Sequence, residues 1–86
     1  MNVEVYTKSD CVYCQHAKAL LLSQNIPYSE YKLGFDFTRE TILEKFTSAK
    51  SFPIIVVDGF YIGGYTQLKE YVESQSSSAR LLNEDI

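Results

Sequence analysis

The chain has 86 residues, a net charge of −3 at neutral pH, 45% hydrophobic residues and two cysteines. That length gives one domain with one modest core. Interspersed charges of both signs remove the electrostatic case for nucleic acid or anionic lipid, and no apolar run approaches the roughly 20 residues of a membrane span.

Asn2 to Tyr6 alternates apolar and polar residues, with Val3 and Val5 on one face, and predicts a strand. Thr7 to Asp10 is a polar loop in which Ser9 and Asp10 are candidate helix N-caps. Cys14, Ala17, Leu20 and Leu21 recur at helical spacing, which predicts a helix from Val12 to Gln24 that Asn25 and Pro27 stop. Tyr28 to Leu33 predicts a second strand and Gly34 to Asp36 a turn. Thr38 and Glu40, then Ile42, Leu43 and Phe46, mark a second helix.

The β-branched run Ile54 to Val57 predicts a strand buried on both faces. Asp58-Gly59 fits a two-residue hairpin turn into Phe60 to Ile62. Tyr65, Leu68 and Val72 trace a third helix beginning just after Gly63-Gly64. The order is therefore β-α-β, α, β-β-α. A right-handed crossover in the first unit would set Cys11 above the first strand's C-terminal end. Ser74 to Ser78 looks like a linker, and Ala79 to Ile86 is too short for a core of its own. The expected organisation is a domain over 1–74 and a tail over 75–86, disordered or docked back.

Cys11-Val12-Tyr13-Cys14 falls between the first strand and the first helix and holds both cysteines of the chain. At that junction a Cys-x-x-Cys reads as a redox pair. A helix N-terminus favours a thiolate, the attacking species in disulfide exchange. Three other uses are weaker. A structural disulfide suits a secreted chain, and Met1-Asn2-Val3-Glu4 lacks the basic and apolar runs of an export signal. Zinc needs four ligands and only His16 is near; two positions after Cys14, it is expected on a solvated helix face. Haem attachment needs histidine directly after Cys14, where Gln15 stands. No metal is expected, and the two cysteines are expected to cycle in a reducing cytoplasm.

With these elements in place, the chain resembles the glutaredoxins of the thioredoxin-fold superfamily over roughly residues 1 to 74. Tyr6-Thr7-Lys8-Ser9-Asp10-Cys11-Val12-Tyr13-Cys14 is similar to the family's basic residue, short spacer and Cys-Pro-Tyr-Cys. Ser51-Phe52-Pro53 stands in the place of Thr-Val-Pro, and Ile62-Gly63-Gly64-Tyr65-Thr66-Gln67-Leu68 matches the Gly-Gly signature. Thioredoxin itself fits less well, because the chain has no tryptophan and encloses Val-Tyr rather than Gly-Pro. Departures from the glutaredoxin pattern are Val12 for proline, Phe52 for valine, and Asp10, whose charge opposes a neighbouring thiolate.

The resemblance implies an α/β thioredoxin-like fold, with a four-stranded mixed sheet flanked by helices. It implies a glutathione-dependent thiol–disulfide oxidoreductase acting on protein disulfides and glutathione mixed disulfides. Cys11 would be the nucleophile and Cys14 the resolving thiol. Lys8 and Arg39 would meet the glycyl carboxylate of glutathione, with Lys50 as a substitute, and Tyr13 would line the groove. Pro53 would be a cis-proline that turns the Phe52 backbone toward an extended peptide. Gly64, Tyr65, Thr66 and Gln67 would receive the γ-glutamyl carboxylate at a helix N-terminus; the plain reading is a hairpin exit with Thr66 as an ordinary N-cap, and both can hold together. No tightly bound cofactor is implied; glutathione is the reductant, the partners are disulfide-containing proteins, and a monomer suffices. Two alternatives stay open. One is a glutaredoxin-like electron donor to ribonucleotide reductase recharged by thioredoxin reductase, because Asp10-Cys11-Val12 of this chain looks similar to the segment in such redoxins. The other is a non-enzymatic dimer bridged by a [2Fe–2S] cluster.

Overall fold

The alternation of Val3-Glu4-Val5-Tyr6 becomes β1 (Val3–Thr7), the strand on which the rest of the molecule is assembled. The elements that follow are α1 (Val12–Ser23), β2 (Tyr28–Lys32), α2 (Arg39–Lys45), β3 (Ile54–Val57), β4 (Phe60–Gly63) and α3 (Tyr65–Glu84). The computed structural model describes residues 2–84, with the side chains of 75–84 excepted. The four strands form one mixed sheet in the order β2-β1-β3-β4. β1 runs parallel to β2, with Val5 opposite Glu30, and antiparallel to β3, with Val5 opposite Ile55. Parallel β1 and β2 require a long connection, which α1 supplies.

The period of two in β1 and β3 divides the core into two clusters, one on each sheet face. Val3, Val5, Ile55 and Val57 meet Ala17 and Leu21 of α1 and Leu68 and Val72 of α3. Tyr6, Ile54 and Val56 meet Ile42 of α2 and Ala49, with Tyr31, Phe37, Phe46, Phe52 and Tyr61 around them. Burial of all four β3 residues follows from this two-sided cover, as the unbroken apolar run predicts.

Local signals account for the turns. Asn25 takes a left-handed φ of 57° after α1, a conformation asparagine tolerates, and its N–H donates to the Leu22 carbonyl. Asp58 and Gly59, at φ 51° and 86°, make the two-residue hairpin turn. Thr38 caps α2 reciprocally with Thr41: each side-chain oxygen accepts from the other residue's backbone N–H.

Two expectations need revision. The N-cap of α1 is Cys11, not Ser9 or Asp10; Asp10 instead occupies a left-handed turn at φ 54°. The expected linker at Ser74 to Ser78 lies within α3, which runs unbroken to Glu84. Serine and glutamine cost a helix only a few tenths of a kcal/mol each, about the ordinary range, and no glycine or proline interrupts the segment. Whether Leu81, Leu82 or Ile86 docks on the domain lies outside the described residues.

Candidate active site

Cys11 is the residue from which α1 grows. Its backbone is extended (φ −118°, ψ 102°), and its Sγ accepts the Cys14 backbone N–H at 3.1 Å. The sulfur thus occupies the position of a capping oxygen, at the positive end of the helix dipole. Cys11 and Cys14 are joined as a disulfide, with Cα atoms 5.2 Å apart. Their surroundings differ sharply: Cys11 is half-buried, whereas Cys14 is 1% exposed beneath the first turn of α1. Cys11 is therefore the more accessible sulfur, and Cys14 stands one turn behind it. No acidic residue occupies that first turn. Among the described residues, no group of three or more His, Cys, Asp or Glu converges as a metal site.

The Phe52–Pro53 peptide bond is cis. Pro53 is buried at the foot of β3, and no hydrogen bond among the described residues uses the Phe52 backbone. The Phe52 ring lies between two partners: Phe37 stacks at 6.1 Å, and the Lys8 ammonium sits 6.0 Å from the ring centroid. Phenylalanine in place of the family valine therefore holds Lys8 against the aromatic cluster.

α3 begins at Tyr65, so Gly64 is its N-cap and Thr66 lies inside the first turn, which sets aside Thr66 as the cap. The Gly64 carbonyl accepts the first helical bond from Leu68, and the Gly64 N–H donates to Gln67 Oε1 at 2.9 Å. A glycine cap has no side chain to offer, so no side chain among the described residues accepts from the N–H groups of Thr66 and Gln67. Gly63 sits at φ 130°, and a Cβ there would come 2.5 Å from Gln67 Cγ.

Tyr13 beside the cysteine pair, the Phe52–Pro53 segment and the first turn of α3 border one cleft of about 400 Å³, lined by Tyr13, Ser48, Lys50, Ser51, Phe52, Pro53, Tyr61 and Gly64 to Gln67, with neither cysteine in the lining. Lys8 and Arg39 line a separate cavity of about 130 Å³, which shares Lys50, Ser51 and Phe52 with the first.

The glutaredoxin family model, described as "Glutaredoxin", matches residues 3–62. The chain belongs to the glutaredoxin family. It is 36% identical over 67 residues to Glutaredoxin 3 of Escherichia coli K12, covering 78% of this chain and 81% of that protein. Among solved structures, Glutaredoxin 1 from Francisella tularensis, complexed with cacodylate, superposes with a TM-score of 0.73. It shares 25% identity and is covered over 96% of its length, against 88% of this chain. Reduced Escherichia coli glutaredoxin gives 0.72 at 28% identity, covering 90% of this chain and 99% of the other. The architecture is therefore the thioredoxin-like fold of the glutaredoxins, and a glutaredoxin carrying Cys11 and Cys14 is a thiol–disulfide oxidoreductase.

Within this glutaredoxin, nine of the eleven residues singled out in the sequence sit at the cysteine pair or on the main cleft: Cys11, Cys14, Tyr13, Phe52, Pro53, Gly64, Tyr65, Thr66 and Gln67. Lys8 and Arg39 stand apart from that cleft, and Lys50 is the cation on it. Ser48 and Tyr61 were not legible as lining residues, because nothing in a linear sequence brings the 48–53 loop beside β4. Proximity to Pro53 was the one available signal for Ser48. His16 is exposed, as expected for a solvated face, yet its ring lies against Tyr13 and Tyr65. The three-residue spacing from Tyr13 to His16 on one helix could have revealed that contact.

Proposed function

We propose that this protein is a glutathione-dependent disulfide oxidoreductase that works as a cytosolic monomer on protein disulfides and glutathione mixed disulfides. The observation that carries this is the cleft joining the cysteine side, at Tyr13, to the cis-proline segment and the first turn of α3. Glutathione is a short extended peptide with a carboxylate at each end. It asks for strand-like backbone partners, an anion site and a cation. The open backbone of Phe52, the unshared N–H groups of Thr66 and Gln67, and Lys50 answer those needs within one groove. Lys8 and Arg39 add positive charge from the adjoining cavity.

In the first step the Cys11 thiolate attacks the glutathione sulfur of a mixed disulfide. A Cys11–glutathione disulfide forms and the target protein leaves as its thiolate. A second glutathione thiolate then attacks that bond, releasing oxidised glutathione and restoring Cys11. On a protein disulfide, Cys14 resolves the first adduct instead, which leaves the Cys11–Cys14 disulfide for two glutathione molecules to reduce.

Choice of reductant tests this proposal. Turnover should be efficient with glutathione and glutathione reductase, and weak with thioredoxin reductase. Reversing the charges of Lys8 and Arg39 should raise the KM for glutathione more than it lowers kcat, as for groups that bind ground and transition states alike. Clear superiority of thioredoxin reductase would move the protein to the ribonucleotide reductase donors. Stoichiometric iron in the purified protein would favour the cluster-bridged dimer.

A further inference from the structure

Tyr13, His16 and Tyr65 form a closed set of three rings. The centroids lie 5.9 Å apart for Tyr13 and His16, 5.7 Å for His16 and Tyr65, and 5.9 Å for Tyr13 and Tyr65. All three separations fall within the range in which aromatic rings attract each other. Tyr13 and His16 share one face of α1 at a spacing of three, while Tyr65 is the first residue of α3. The set therefore spans the two helix N-termini that carry the cysteine pair and the proposed anion site.

The members stand differently toward the cleft. Tyr13 and Tyr65 line it, and their rings stack within 26° of parallel; His16 touches both but is not part of the lining. Tyr13 is 60% exposed. An exposed tyrosine on a first helical turn, with no neighbour, would exchange rotamers, and a substrate that needed it in one place would have to order it on binding. Contact with two rings restricts that freedom before substrate arrives.

Resting on the function proposed above, we propose that His16 is a positioning residue, which holds Tyr13 and Tyr65 together as the wall of the glutathione cleft. It acts through the tyrosines, without touching the reacting sulfurs. Its contribution is that of a flat ring, so a phenyl group at the same position performs it equally well.

Steady-state kinetics on a glutathionylated peptide decide the matter. His16→Ala should raise KM about three- to tenfold, the ratio that corresponds to losing ring contacts of ordinary strength, with kcat near wild type. His16→Phe should restore the wild-type KM. Tyr65→Leu should raise KM by itself, and adding His16→Ala to it should bring little further increase. In the NMR spectrum the His16 ring protons should be shifted upfield in the wild type and return toward random-coil positions in Tyr65→Leu, whatever the activity. An unchanged KM in His16→Ala, no rescue by His16→Phe, or independent effects in the double variant would each overturn the proposal. Absence of wild-type turnover on the glutathionylated peptide would instead sink the glutathione reading. The same variants on an oxidised peptide disulfide, recharged with dithiothreitol, would then decide the role of His16 alone.

Discussion

The N-termini of α1 and α3 carry opposite halves of one capping device, and α2 carries the whole of it. In α2, Thr38 and Thr41 each satisfy the other's backbone N–H, so that end of the helix is closed. In α1 only the forward half exists: the Cys11 sulfur accepts the N–H three residues on, at Cys14. In α3 only the return half exists: Gln67 reaches back to the N–H of Gly64, and a cap without a side chain offers nothing forward. The difference separates structural from chemical helix ends. A complete box spends the helix end on stability. The half box at α1 places a sulfur where an oxygen usually caps, and the half box at α3 leaves N–H groups without a side-chain acceptor among the described residues, which the proposed function gives to a ligand.

The largest effect expected from breaking this pattern comes at α1. Cys11→Ser keeps a capping oxygen, so the protein should fold, yet every disulfide-exchange activity should vanish, because no other thiol can begin the reaction. Cys14→Ser should keep turnover on glutathione mixed disulfides and lose it on protein disulfides. Parallel assays on the two substrate types check both variants, and a Cys11→Ser protein active on either would reverse the assignment.

Damage to the half box of α3 should come next. Gly63→Ala forces a side chain into a left-handed backbone and against Gln67, which should cost roughly 1–3 kcal/mol of stability. With Gln67 displaced, the KM for glutathione should rise as well. Urea denaturation and kinetics on the same variant measure the two effects. A variant that lost stability alone would separate the anion site from the cap.

The closed box of α2 supplies the control. Thr38→Ala should lower stability by about 0.5–2 kcal/mol and leave turnover near wild type. Comparable loss of activity would mean that the Thr38 cap also positions Arg39, the first residue of α2, for binding.

The smallest effect lies on the far face of the sheet and appears only in alkali. Burial, with a 2.9 Å hydrogen bond to Glu4, pushes the Tyr6 phenol well above its ordinary value. A folded pKa above the unfolded one gives stability that is complete below about pH 10 and declines as pH rises beyond it, by at most about 1.4 kcal/mol per pH unit. Tyr6→Phe should lose the hydrogen bond at neutral pH and flatten that alkaline decline. Denaturation midpoints measured from pH 8 to pH 11 should show the two curves converging.

Most of this architecture was legible in the sequence because the signals are local. The Val3 and Val5 alternation, the run Ile54 to Val57, the Asp58-Gly59 turn and the Thr38 cap each describe a few neighbouring residues, and each element formed as expected. The site was legible where a motif names its own chemistry, as in Cys11 to Cys14. What escaped depends on residues distant in sequence or on weak preferences. Lys8 belongs to a cavity beside the cleft because Phe52 offers it a ring, a contact that crosses more than forty positions. A sulfur as helix cap was missed because serine and aspartate stand just before it and are the commoner capping residues. The length of α3 was missed because a polar serine run carries no periodicity, while nothing in it forbids a helix.

One consequence of the strand order concerns how the chain is made. β1 leaves the ribosome before the other three strands of its sheet, yet half of its pairing comes from β3, and the Asp58 N–H closes onto the Asn2 carbonyl at 2.8 Å. Until residue 58 has emerged, β1 can pair only with β2, and the nascent sheet keeps an open edge. The segment that fills that edge, Ile54-Ile55-Val56-Val57, is uncharged and β-branched throughout, the composition that readily joins strands of other chains. Pro53 stands directly before it and Asp58-Gly59 directly after, so a residue without an N–H, a charge and a tight turn bound the sticky stretch on both sides. The proline at the floor of the cleft thus has a second duty as a gatekeeper, and a substitution there should be judged by yield of soluble protein as well as by turnover.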